Sequence, residues 1–146
     1  MKKILIIDDN DRYAENLEKF FKAYPDVQTV RAKTAKEGFD LFQKDDYHTI
    51  ISDITMESQI SGFTGIRKIH RAGYNGNLII ATTAFDVRGT LFIGKYFLPC
   101  YAKVGWMIPK VPLKKGEVVF VPTTLKKGIR FEELLEESAE KKNGFR

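Results

Sequence analysis

The chain has 146 residues, 43% of them hydrophobic and 29% charged, which is enough for one domain with a sizeable core. It carries no apolar run of membrane-spanning length, and its single cysteine, Cys100, excludes an internal disulfide. The net charge is +5 and unevenly placed: acids and bases number twelve each up to Thr83, whereas twelve bases face seven acids from Ala84 onward.

Met1-Lys2-Lys3 leads straight into a strand-like run that ends on acids, unlike a signal peptide, and a cytoplasmic location is expected. Lys3 to Ile7 is apolar and closed by Asp8 and Asp9, the pattern of a strand buried on both faces. Tyr13, Leu17, Phe20, Phe21 and Tyr24 recur at threes and fours, which predicts a helix from Asp11 to Tyr24, capped by Asn10 or Asp11 and ended by Pro25. Val27 to Arg31 predicts a second strand. Thr34 and Glu37 form a capping box that opens a helix expected to bury Phe39, Leu41 and Phe42. Tyr47 to Ser52 predicts a third strand ending at Asp53. A helix is expected near Thr64 to Ala72, then a turn at Gly73, Asn75 and Gly76, then a fourth strand from Leu78 to Ala81 that ends at Thr82-Thr83.

Beyond Thr83 the pattern weakens. A helix over 86–97 would contain Gly89, Thr90 and Gly94, which are poor helix residues. Val104 to Ile108 predicts a fifth strand, broken by Pro109-Lys110-Val111-Pro112. Glu117 to Val121 predicts an additional short strand. Leu-Lys-Lys-Gly occurs at 113–116 and again at 125–128, too few copies for a repeat architecture and suited to a pair of turns. Phe131 to Lys142 predicts a last helix burying Phe131, Leu134 and Leu135, with acids early and lysines late.

Strands alternating with helices predict right-handed βαβ units, hence an α/β fold with a doubly wound parallel sheet. Binding sites in such sheets lie at the carboxyl ends of strands, where Asp8, Asp9, Asp53 and Thr83 all fall. Three acids in one place repel strongly unless a cation sits among them. The pattern therefore points to a divalent metal and chemistry on an anionic group.

Three pieces, Ile4-Leu5-Ile6-Ile7-Asp8-Asp9-Asn10, Ser52-Asp53-Ile54-Thr55-Met56 and Ile79-Ile80-Ala81-Thr82-Thr83-Ala84, together resemble the receiver domain of two-component response regulators. The resemblance is specific from Met1 to about Ala84 and loose beyond it. It implies a flavodoxin-like five-stranded sheet of order 2-1-3-4-5 within a single receiver-like domain over 1–146. An insertion or rebuilt region would occupy about 86–130. Asp53 matches the phospho-acceptor. Asp9 matches a direct Mg²⁺ ligand, Asp8 one acting through water, and Thr55 the main-chain carbonyl on the metal. Thr83 matches the hydroxyl that bonds the phosphoryl group. Lys110 is taken as the phosphate-pairing lysine because it follows the fifth strand, whereas Lys103 precedes it.

What the resemblance implies is a stand-alone, phosphorylatable signalling protein rather than a turnover enzyme. A histidine kinase or phosphotransfer protein would act upstream and an unknown protein target downstream, with homodimerisation left open. The alternative is a degenerate receiver that works only as a protein-interaction module. An aspartyl phosphatase would need a second acid at position 55, which is Thr. The basic stretch Lys103, Lys110, Lys114, Lys115, Lys126, Lys127 and Arg130 is opposed only by Glu117, but no recognition-helix pattern supports a nucleic-acid partner. Trp106 matches either a family aromatic that changes rotamer or plain core. The chain departs from the family pattern at Glu57, usually proline, and in the longer interval from Thr83 to Lys110. It departs again at Val111, which separates Lys110 from Pro112, and in the insertion over Lys114 to Arg130.

Overall fold

The computed structural model describes residues 1–53, 61–82 and 102–136. Along the chain run β1 (Lys2–Ile7), α1 (Asp11–Phe21), β2 (Val27–Ala32), α2 (Ala35–Lys44), β3 (Thr49–Asp53), α3 (Ser61–Arg71), β4 (Asn77–Thr82), β5 (Val104–Pro109), the short helix α4 (Lys110–Lys114) and β6 (Val121–Pro122). A 3₁₀ turn at Thr124–Lys126 follows, and residues 131–136 are helical (α5). The sheet order is β2-β1-β3-β4-β5-β6, with the first five strands parallel and β6 antiparallel to β5. This is the expected doubly wound topology extended by one strand. Among the described residues, no helix is long and apolar enough to cross a membrane.

Each strand supplies both faces of the sheet because its side chains alternate. Leu5, Ile7, Ile50, Leu78, Ile80, Val104 and Met107 pack on one side with Ile66 and Ile69 of α3 and the half-buried Phe39, Leu41 and Phe42 of α2. Ile4, Ile6, Ile51, Ile79, Ala81, Trp106 and Ile108 pack on the other with Leu17 and Phe21 of α1, Leu113 of α4 and Phe131 and Leu135 of α5. Gly38, not one of the aromatics, is the buried residue of α2. A Cβ at Gly38 would lie 2.5 Å from Ile7 Cδ1, so the missing side chain lets α2 approach β1.

Several boundaries differ from expectation. Helix α1 ends at Phe21, not Tyr24, because Pro25 disfavours helical geometry at the residue before it and a turn begins at Lys22. The capping box is displaced by one residue on its return arm: Thr34 Oγ1 accepts the Glu37 N–H at 3.0 Å, while Glu37 Oε1 accepts the N–H of Lys33. Helix α3 begins at Ser61, three residues early. The Pro109–Pro112 segment does not merely break β5. It starts α4, since Pro112 falls in the first helical turn, where no N–H is required.

The additional strand is Val121–Pro122, not Glu117 to Val121. Its place is set by Thr123, whose N–H and hydroxyl both bond the start of β5. Residues 117–120 pack without strand pairing, and Phe120 touches Phe20 and Phe131 with ring centroids 5.6 and 4.6 Å apart. The two Leu-Lys-Lys-Gly copies end on Gly116 and Gly128, with φ of +89° and +79°. Each closes a turn in the left-handed region that glycine enters without penalty. The expected helix over 86–97, Cys100, Glu57 and the end of the last helix lie outside the described residues.

A candidate acidic site at the carboxyl ends of the strands

β1 and β3 are hydrogen-bonded neighbours in parallel register, Ile7 opposite Ser52. Their ends therefore deliver Asp8 and Asp53 to one edge of the sheet. Carboxylate oxygens of Asp8, Asp9 and Asp53 lie within 4.8 Å of one another. Asp8 and Asp53 are buried, whereas Asp9 is exposed.

The loop that holds Asp8 is tightly tied. The Asn10 N–H donates to Asp8 Oδ1 at 2.9 Å, and the Asn10 side chain caps α1 by accepting the Tyr13 N–H. Arg31 at the end of β2 donates to the Asp8 carbonyl at 3.1 Å and pairs with Asp11 at 2.7 Å. Asp8 Oδ2, by contrast, is buried with no hydrogen-bond partner. Burial, together with the nearby negative charges of Asp53 and Asp9, outweighs the Asn10 bond and the Lys110 charge, and the Asp8 carboxyl is pushed up to about 7. An orphaned carboxylate oxygen facing two other acids is the donor set of a hard divalent cation such as Mg²⁺.

Lys110 reaches the same edge from the other side. It opens α4 directly after β5 and is only 4% exposed. Its Nζ lies 2.8 Å from Asp53 Oδ1. Helix α4 is fixed to α1 by Asn16 Nδ2 donating to the Leu113 carbonyl at 2.8 Å. The ammonium also stands 4.5 Å over the ring of Tyr13. Lys110 is thus removed from the basic surface stretch and held between a carboxylate and an aromatic face. Lys103 precedes β5, at the opposite end of the strand.

The edge so assembled comprises Asp8, Asp9, Asp53 and Lys110. Thr55 and Thr83 fall outside the described residues, while Thr82, beside Thr83 in the chain, is buried at the end of β4. Tyr13 was not legible as a site residue, because its spacing fits the apolar stripe of α1 equally well. Trp106 is fully buried and donates Nε1–H to the Ile129 carbonyl at 3.0 Å, as a core residue does.

A doubly wound parallel sheet with three acids and a buried lysine at its carboxyl edge defines the class of receiver-like α/β domains. The response regulator receiver domain model matches residues 4–91, and the chain belongs to that family. In structure it is similar to the response regulator TrrA of Thermotoga maritima in complex with Mg²⁺ and BeF, at 21% identity, with 96% of this chain and 98% of that chain covered and a TM-score of 0.59. It is also similar to the chemotaxis protein CheY4 of Vibrio cholerae, at 18% identity, 96% and 98% coverage and a TM-score of 0.60. TrrA is also known in complex with the histidine kinase ThkA, and this chain matches it there at 21% identity, with 96% and 97% coverage and a TM-score of 0.59. At these identities the likeness shows the fold alone. Among curated proteins, none matches this chain.

Proposed function

We propose that this chain is an Mg²⁺-dependent phospho-acceptor, with Asp53 as the residue that carries the phosphoryl group. The observation that carries the reading is the pairing of opposites around Asp53: the orphaned Asp8 Oδ2 and exposed Asp9 on one side, and the Lys110 ammonium at 2.8 Å on the other. A carboxylate oxygen of Asp53 would attack phosphorus, the bond to the donor's leaving group would break, and an acyl phosphate would result. Positioning and charge neutralisation dominate such transfers. Lys110 stands where it can leave Asp53 Oδ1 for an oxygen of the incoming phosphoryl. Asp8, Asp9, Asp53 and the Thr55 carbonyl would hold Mg²⁺, which when bound neutralises charge on the transferring group. Thr83 would supply the hydroxyl that follows the phosphoryl and reshapes its loop.

The donor would be a histidine kinase or phosphotransfer protein, as the TrrA–ThkA complex suggests by analogy. The signal would leave through protein–protein contacts of a single domain over 1–146, rebuilt across about 86–130, in the cytoplasm. Hydrolysis of the acyl phosphate by the domain itself would reset it, with no separate substrate turned over.

Thermal unfolding with Mg²⁺ and beryllofluoride tests this reading. Both together should raise the midpoint of the wild type and leave Asp53→Asn unmoved. An unchanged wild-type midpoint would favour the degenerate, phosphorylation-independent module.

A further inference from the structure

The amino end of the sheet carries a second concavity, unrelated to the acids. β4 enters it at Asn77 and reaches the acidic edge at Thr82, five residues on, roughly 16 Å away at about 3.3 Å per residue. The cavity measures about 310 Å³ and is lined by His70, Lys103 and Lys126 over an apolar floor of Leu78, Trp106 and Leu125. No carboxylate among the described residues lines it.

Two local features build the lining. β5 bulges at Gly105, since Leu78 pairs with Val104 and Ile79 with Trp106. A Cβ at Gly105 would stand 3.0 Å from Lys126 Cγ, so the absent side chain lets the Lys126 stem lie across the strand. The Lys126 ammonium then comes to rest 5.7 Å from the Trp106 ring. Lys103 has φ of +58°, the sole non-glycine residue in the left-handed region among those described. A lysine in that region is uncommon.

We infer that this pocket is a binding site for a small organic anion with an apolar stem, its charge met by Lys103 and Lys126 and its stem laid against the exposed Leu125, above the buried Leu78 and Trp106. The volume equals that of roughly ten waters at about 30 Å³ each, which suits a metabolite-sized ligand. Carboxylate and phosphate monoester share the required chemistry. The inference is independent of phosphoryl transfer at Asp53.

Trp106 is the chain's single tryptophan, so its fluorescence reports a ligand that draws Lys126 from the ring. Succinate, glycerol phosphate and inorganic phosphate are titrated in turn, with EDTA present to keep cations off the acids. Lys126→Met keeps the stem and removes the charge, and Lys103→Gly suits the left-handed backbone. A saturable change with succinate or glycerol phosphate, weakened at least about tenfold in the double variant, supports the site. Which of the two binds more tightly identifies the anionic group. The site is refuted if neither organic anion saturates, if the double variant binds as well as wild type, or if Asp53→Asn abolishes the signal. Saturation by inorganic phosphate alone also refutes it, since the apolar floor would then be idle.

Discussion

The acidic edge at the carboxyl ends of β1 and β3 and the lysine-lined pocket at the amino ends of β4 and β5 are opposite in charge, and they were built by different means. At the carboxyl end, buried apolar strands stop where their acids begin, and adjacency of β1 and β3 in the sheet brings Asp8 and Asp53 together. At the amino end, Lys103, Lys126 and His70 converge through a bulge, a left-handed residue and a 3₁₀ turn. Topology alone suffices for the first. The second needs irregular backbone, contributed largely by residues 103–126. The two sites lie at opposite ends of the strands, so residues on either side of β5, with His70 of α3, line a cationic pocket far from the acids.

The comparison can be broken most forcefully at Lys110, which among the described residues is the cation paired with Asp53. Lys110→Ala should lower the rate of phosphoryl uptake from acetyl phosphate on the order of 10²- to 10³-fold, the scale of one lost charge-stabilising donor. It should also cost about 3–5 kcal/mol in urea unfolding, because Asp53 would keep its burial and lose the Lys110 ammonium. A surface lysine would show neither effect.

Asp8 gives the next largest effect. Its carboxyl sits near 7 in the fold against an ordinary value of 3.8. The stability this group contributes is therefore complete below about pH 3.8 and lost as pH rises through about 7. In EDTA, the free energy of unfolding from urea titration should rise by up to a few kcal/mol as pH falls from about 7.5 to about 5. Asp8→Asn should flatten that slope and stabilise the metal-free protein at neutral pH. Added Mg²⁺ should stabilise the wild type at pH 7.5 and lose that effect in Asp8→Asn.

Gly38→Ala probes the frame that carries the acids. Its methyl would meet Ile7 Cδ1 at 2.5 Å, so stability should fall by roughly 1–3 kcal/mol, measured in urea. Tyr13 gives the smallest effect. Tyr13→Leu removes the aromatic face from Lys110 and should slow phosphoryl uptake about five-fold, the equivalent of about 1 kcal/mol, while Tyr13→Phe should match wild type.

The carboxyl edge was legible in the sequence because two apolar runs of the kind buried on both faces lead straight into Asp8 and Asp53. Ile4 to Ile7 and Ile50 to Ser52 leave no other register, and Lys110 follows from its place after β5. That Asp8 is buried while its neighbour Asp9 is exposed was not legible, since both simply follow β1. Nor were the bulge at Gly105 and the one-turn helix after Pro109. Each depends on a close approach between parts of the chain far apart in sequence: Gly105 to Lys126, and Leu113 to Asn16. Periodicity reads neighbours along one element, so it placed Tyr13 in the core stripe and missed the ammonium above it.

Intact-mass measurement after incubation with acetyl phosphate and Mg²⁺ tests the central claim most directly. The wild type should gain one phosphoryl group, lost on adding EDTA beforehand and absent in Asp53→Asn. An unmodified wild type, or equal labelling of Asp53→Asn, would contradict the account.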